Sequence, residues 1–310
     1  MLSFDSNDRL SEGISQILSS VFPKRQIRSL SFPEGGKTNS NVLVEFENCD
    51  EKFVLRQHLR GPDVCLKEVS VLQLLQGLVP VAEVIDFGTM KNQSHNTYLL
   101  YTYVPGQHFR KIRASGSSRD MADAAFSIGR CLSVLRKVDA SSLVDKGLLQ
   151  PFGFSTDVLE SPVLRKCLGM EDCDLLRRMY SEWSPVLQNY ADAGQLVHGD
   201  FNHRNIVLKK THKTWDVSGI LDWELATTSC SLLDPARFLC YERPDSKWWE
   251  IAFLEGLCAF STIPDNCADL FRALNTLSAA GSLAEHSTEE RFIPELRELV
   301  RAGLRGKRIG

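Results

Sequence analysis

Residues 196–208 read LVHGDFNHRNIVL. The apolar arms Leu196-Val197 and Ile206-Val207-Leu208 have the composition of strands, yet between them stand His198, Asp200, Asn202, His203, Arg204 and Asn205. A segment that only reverses the chain is built from glycine, proline, asparagine and serine. A histidine, a carboxylate and two carboxamides within eight positions (198–205) are more than a turn requires.

The text that follows gives this chemistry a frame. "NIVLKK" (205–210) and "WDVSGIL" (215–221), separated by Thr211–Thr214, predict a β-hairpin. Asn205 and Asp222 stand just outside its two ends, and paired strands lie only about 5 Å apart, so both side chains come within reach of one hard cation such as Mg²⁺. Asp200, five residues before Asn205, adds a carboxylate beside an oxygen-ligated cation. That combination suits phosphoryl transfer, in which charge on the phosphates is neutralised while a carboxylate deprotonates the attacking hydroxyl. The three identities of H-x-D-x-x-x-x-N are a modest signal alone; the hairpin and Asp222 sharpen it.

Working outward, the chain has 310 residues, 43% of them hydrophobic and 24% charged, enough for two lobes of ordinary size. Residues 7–22 have helical spacing, "NVLVEF…EKFVLRQ" (41–57) reads as a hairpin, and residues 62–77 read as a helix opened by Pro62 and stopped by Gly77. Strand patterns follow at 81–87 and 97–103. Pro105 and Gly106 then break the pattern, and a boundary is set there, with lobes at 1–104 and 105–310. Beyond it the expected elements are helices at 120–137, 171–193, 245–262, 264–280 and 288–303, besides the hairpin.

The composition also excludes. A net charge of −3 and a pI near 6.2 supply no basic excess for nucleic acid or an anionic membrane surface. No apolar run approaches a bilayer span, and the opening "MLSFDSND" has no basic region ahead of an apolar one, which points to a cytoplasmic protein. Nine cysteines without a C-x-x-C pair are expected as reduced thiols.

These motifs, in this order, resemble the aminoglycoside phosphotransferase family, a branch of the protein-kinase-like fold that phosphorylates small molecules. "HGDFNHRN" (198–205) resembles its catalytic loop. "ILDWELA" (220–226) resembles its metal-binding segment, and "LLDPAR" (232–237) the Asp-containing turn downstream. In the first lobe, "GGKTNSNVLVEF" (35–46) resembles the nucleotide-loop strand pair, with Gly35 and Gly36 letting backbone amides approach a nucleotide. "FVLRQ" (53–57) takes the place of the phosphate-gripping strand, and Glu68 that of its ion-pair partner. "LLYTYVPG" (99–106) resembles the hinge at which Thr102, Tyr103 and Val104 meet the nucleotide base through backbone groups.

The resemblance covers residues 25–240 and implies an α+β, bilobal, protein-kinase-like fold, mostly β in the first lobe and mostly helical in the second. It implies a catalytic base at Asp200, magnesium ligands at Asn205 and Asp222, and a supporting His198 that braces the loop rather than moving a proton. Glu224 assists a second magnesium or bonds the loop; Asp234 is expected to cap the following helix. The departure is Arg56, where the family carries lysine: the charge is kept, but the planar fork is not geometrically equivalent. The implied reaction moves the γ-phosphate of ATP or GTP to a hydroxyl of a small molecule. A protein kinase is disfavoured because Asp222 is followed by Trp-Glu rather than Phe-Gly, and no A-P-E follows it. A non-catalytic nucleotide-binding module would have no need of Asp200. Tyr241, Trp248 and Trp249 either line an acceptor pocket or belong to the core.

Overall fold

The computed structural model describes residues 4–32, 40–90, 97–151, 156–189, 194–241, 247–260, 262–285 and 293–306. Gly35 and Gly36 lie outside the described residues. The chain divides into two compact units, Met1–Pro105 and Gly106–Gly310.

The first unit runs α1 (Phe4–Val21), β1 (Ile27–Ser31), β2 (Ser40–Phe46), β3 (Lys52–His58), α2 (Pro62–Leu75), β4 (Val84–Thr89) and β5 (Thr97–Thr102). Its five strands form one antiparallel sheet in the order β1-β2-β3-β5-β4. Alternation along the strands sends Val42, Val44, Phe46, Phe53 and Leu55 to one face, where Ile14 and Leu18 of α1 close the core. The opposite face carries Arg56 and His58 on β3, and α2 packs there. Proline at the first turn opens α2, and Gly77, at φ +76°, follows its end. A carboxylate on α2 can therefore face a cation on β3.

The second unit runs β6 (Gln107–His108), α3 (Phe109–Ser115), α4 (Ser118–Leu135), α5 (Ser141–Asp145), α6 (Thr156–Leu159), α7 (Pro162–Leu168), α8 (Met170–Gln188), β7 (Leu196–Val197), β8 (Ile206–Thr211), β9 (Thr214–Ile220), a 3₁₀ turn (Trp223–Leu225), β10 (Thr227–Thr228), α9 (Leu233–Tyr241), α10 (Lys247–Leu257), α11 (Cys267–Glu285) and α12 (Ile293–Leu304). The expected hairpin is β8–β9, closed tightly at His212-Lys213 and carrying a bulge where Val207 pairs Gly219 but Leu208 pairs Val217. β6 extends it along β8. Asp120, in the capping box of α4, accepts from Lys210 Nζ and Trp215 Nε1, both at 2.7 Å, and so ties the helix to the hairpin. The core centres on Phe238 of α9, within 4.8–6.0 Å of the rings of Phe109, Phe201, Trp249 and Phe253. Trp249 thus belongs to the core while Trp248 is 72% exposed; the Tyr241 side chain lies outside the described residues.

The eight described cysteines are free. Among the described residues no helix is long and apolar enough to cross a membrane.

Candidate active site

The loop 198–205 leaves β7 and enters β8, held at both ends by pairing: β7 lies against β10, and the amide of Leu221 donates to the Asn205 carbonyl at 2.8 Å. That bond continues the β8–β9 ladder by one pair, so Asn205 stands opposite Leu221 and Asp222 follows immediately. Asp222 adopts the left-handed conformation, φ 68° and ψ 65°, which turns the chain sharply into the 3₁₀ segment. Trp223 then inserts fully into the core, with its Nε1 donating to the Ile220 carbonyl at 3.0 Å.

His198 is completely buried, its ring 4.5 Å from that of Trp223 and 5.8 Å from that of Phe201. Its Nδ1 accepts from the amide of Asp200 at 3.2 Å, which leaves the proton on Nε2, and Nε2 donates to the Leu221 carbonyl at 2.9 Å. Both ring nitrogens are spent on backbone groups, one in the loop and one at the hairpin's exit. The histidine therefore connects the Asp200 segment to the Asp222 segment.

Gly199 sits at φ +82°, and a Cβ there would lie 2.3 Å from the Leu225 carbonyl oxygen, so only glycine fits. The resulting bend points the amides of His198 and Gly199 at one carboxylate: they donate to Asp234 Oδ2 at 2.7 Å and Oδ1 at 3.1 Å. Asp234 does not cap α9, as its sequence context suggested; it lies inside the helix, 2% exposed, and anchors the loop. Burial pushes its carboxyl up from the ordinary value, while His198, Arg237 and the two amides pull it back. With both oxygens accepting N–H bonds, the geometry is built for the ionised form.

Asp200 is half-buried, and each of its carboxylate oxygens is held by a carboxamide. Asn202 Nδ2 donates to Oδ1 at 3.0 Å, and Asn205 Nδ2 donates to Oδ2 at 3.1 Å; both amides also reach the Asp200 carbonyl at 3.0 Å. Asn202 in turn accepts from the amide of Arg204 at 2.9 Å. The carboxylate plane is thus fixed, with lone pairs left over on each oxygen. Asn205 spends its nitrogen on Asp200, which leaves Oδ1 as the atom able to ligate a cation. His203 is half-buried, and burial beside Arg204 holds its imidazole below the ordinary value. Glu224 is 8% exposed within the 3₁₀ turn.

In the first unit, Arg56 Nη1 meets Glu68 Oε1 at 3.2 Å, with the two side chains 6% and 3% exposed. His58 Nε2 lies 3.0 Å from the other oxygen, Oε2. At the end of β5, the amide of Thr102 donates to the Glu83 carbonyl and that of Tyr103 to the Lys52 carbonyl, each at 2.9 Å, and Thr102 Oγ1 accepts from the Glu83 amide. Val104, the first residue beyond this pairing, takes part in none of these bonds.

The sequence singled out Asp200, Asn205, His198 and Asp222, and the structure gathers them at one end of the β8–β9 hairpin. Three residues carry no role in the sequence reading: Asn202 and, as an anchor, Asp234 beside these groups, and His58 beside Glu68 in the first unit. Asn202 has a local signal, since a carboxamide two residues after an aspartate can turn back onto it. Asp234 and His58 have none.

Residues 29–277 match the model of the phosphotransferase enzyme family, APH, and the chain belongs to that family. Among solved structures, the GDP complex of wild-type aminoglycoside 2'-phosphotransferase-IIIa is 17% identical at a TM-score of 0.72, covering 94% of this chain and 98% of that one. The GDP and kanamycin complex of APH(2")-IIIa is 19% identical at 0.69, covering 94% and 97%. A thermostable variant of APH(4)-Ia in ternary complex with ADP and hygromycin B is 14% identical at 0.64, covering 94% and 98%. These likenesses establish the α+β, protein-kinase-like fold. No curated protein sequence matches the chain significantly.

Proposed function

We propose that this phosphotransferase is a small-molecule kinase, moving the γ-phosphate of ATP or GTP to a hydroxyl of an aminoglycoside-like antibiotic, an amino sugar or a metabolite alcohol. The observation that carries the reading is the Asp200 carboxylate, held at both oxygens by Asn202 and Asn205. The structural neighbours are complexes with GDP and kanamycin or with ADP and hygromycin B, in keeping with a nucleotide donor and a hydroxyl-rich acceptor.

In this reading Asp200 takes the proton from the acceptor hydroxyl as that oxygen bonds to the γ-phosphorus. The bond from phosphorus to the bridging oxygen breaks, and its electron pair leaves with the nucleoside diphosphate. His198 and Asp234 move no proton; they set the backbone of residues 198–200. In the first unit Arg56, paired with Glu68, grips the phosphates, and Val104 offers its backbone N–H and C=O to the base.

The donor set of Asn205 Oδ1 and the Asp222 carboxylate fits Mg²⁺, a hard cation that takes oxygen ligands. Among the described residues no group of three His, Cys, Asp or Glu could hold a metal. That too is compatible with Mg²⁺, which is commonly bound by one or two protein groups with phosphate and water completing its shell. When bound, magnesium supplies charge neutralisation on the phosphates.

The test is Asp200→Asn. Asparagine has nearly the same size but cannot take up the proton, so kcat should fall about 10²- to 10⁴-fold while Mg-nucleotide binding stays close to wild type. Turnover within a few-fold of wild type would remove Asp200 as the base.

A further inference from the structure

The loop that carries Asp200 is flanked by positive charge. His108 Nδ1 donates to the Arg204 carbonyl at 2.7 Å, and the Arg110 amide donates to the His203 carbonyl at 3.2 Å, so β6 and the first turn of α3 lie directly against residues 203–204. Residues 107–115, QHFRKIRAS, carry Arg110, Lys111 and Arg113 and no acid. Arg204 adds a further cation, and the Asn202 side chain links it to Asp200: Oδ1 accepts from the Arg204 amide at 2.9 Å, and Nδ2 donates to Asp200 Oδ1 at 3.0 Å. Burial holds the His203 imidazole below its ordinary value, and Arg204, Arg113 and Arg110 push it the same way, so their charges gather around one ring of this loop. Arg110, Lys111 and Arg204 are exposed, and among the described residues their side chains enter no ion pair. In a chain of net charge −3 this concentration is local.

We propose that this cluster binds the phosphate acceptor through a negative charge, so that the substrate is an alcohol bearing a carboxylate or a phosphate rather than a polyamine. The inference rests on the phosphotransfer reading above and narrows its acceptor. An anionic alcohol approaching the Asp200 carboxylate and the γ-phosphate is repelled by both, and exposed guanidinium groups beside the loop offset that repulsion. Arginine pairs bidentately with either anion. To a polyamine such as kanamycin, cationic at neutral pH, the same side chains present like charge, which disfavours binding. The cluster thus sets the sign of the charge that the site accepts.

Steady-state transfer from Mg·ATP and Mg·GTP by the full chain tests this, with acceptors matched except in charge: glycerate and gluconate against glycerol and glucose, ribose 5-phosphate against ribose, and kanamycin as the polyamine. An anionic member should be used with kcat/KM about tenfold or more above its neutral counterpart and above kanamycin. Whether that member is a hydroxy acid or the sugar phosphate separates a carboxylate from a phosphate acceptor. In the double variant Arg110→Gln, Arg204→Gln its KM should rise about tenfold, the scale of two exposed charge pairs, while Mg·AMP-PNP affinity by calorimetry stays within about twofold. Lost nucleotide affinity would assign the cluster to the donor, and an unchanged KM would leave it no part in acceptor binding; either overturns the inference. Preference for a neutral alcohol or kanamycin would overturn it and keep the phosphotransfer reading. Transfer to none of these acceptors would also overturn it, and failure to bind either Mg·nucleotide as well would sink the phosphotransfer reading with it.

Discussion

Asp234→Ala removes the anchor of the 198–205 loop without touching any residue that the proposed reaction uses directly. In the structure its two carboxylate oxygens accept from the amides of His198 and Gly199 at 2.7 and 3.1 Å, in a site where Asp234 is 2% exposed. Alanine leaves both amides buried and unsatisfied, at about 1–3 kcal/mol each, while the cost of burying a carboxylate is returned. A net loss of about 2–4 kcal/mol follows. For a unit of this size each kcal/mol lowers Tm by about 2–4 °C, so the shift is about 4–16 °C. Hydrogen exchange offers the direct assay: a peptide spanning residues 197–205 should lose about two orders of magnitude of protection, whereas β2–β3 peptides in the first unit should not change. Activity should fall with it, because Gly199 at φ +82° loses the acceptor of its amide, and the Asp200 segment follows Gly199 directly. Asp234→Asn keeps one acceptor and turns an NH₂ toward the other amide, so it should fall between wild type and Asp234→Ala. A Tm within about 2 °C of wild type, with loop exchange unchanged, would refute the anchoring argument.

Two further substitutions separate the metal assignment from stability. Asp222→Ala should weaken Mg-nucleotide binding by calorimetry while thermal unfolding barely moves; unchanged affinity would exclude Asp222 as a ligand. Asp120 is held well below the ordinary carboxylate value of 3.8 by Lys210, then Ser117 and Trp215. A folded-state value below the unfolded one means that its contribution is fully present above about pH 4 and is lost as pH falls further. Asp120→Asn should therefore lower Tm at pH 7 by a few degrees, and the gap to wild type should close below pH 4. A gap of constant size across that range would show that the carboxylate charge contributes nothing.

Where the determinants are local, the sequence was legible. The β8–β9 hairpin and the start of α2 at Pro62 each follow from a few neighbouring residues. The span from Ser141 to Leu168 was not legible: α5, α6 and α7 contain 5, 4 and 7 residues, too few turns for a period to emerge. β1 carried no signal either, since Ile27–Ser31 mixes charge and hydroxyls and is secured by pairing with β2. The site divided in the same way. Asp200, Asn205 and Asp222 were legible because a single hairpin relates them. Asp234 reads locally as a helix cap, and its true partners stand 35 and 36 residues earlier.

By itself the sequence determined which chemical groups occupy one end of one hairpin: two carboxylates and a carboxamide. Only the tertiary structure decided how those groups are held. The tautomer of His198 depends on the Asp200 amide and the Leu221 carbonyl meeting opposite sides of one ring, and the pairing of Glu68 with Arg56 depends on α2 packing against the face of β3 that carries Arg56. The physical reason is that periodicity and turn chemistry report the conformation of neighbouring residues. A buried hydrogen bond between distant segments depends on direction and distance, which exist only once strand, loop and helix have packed.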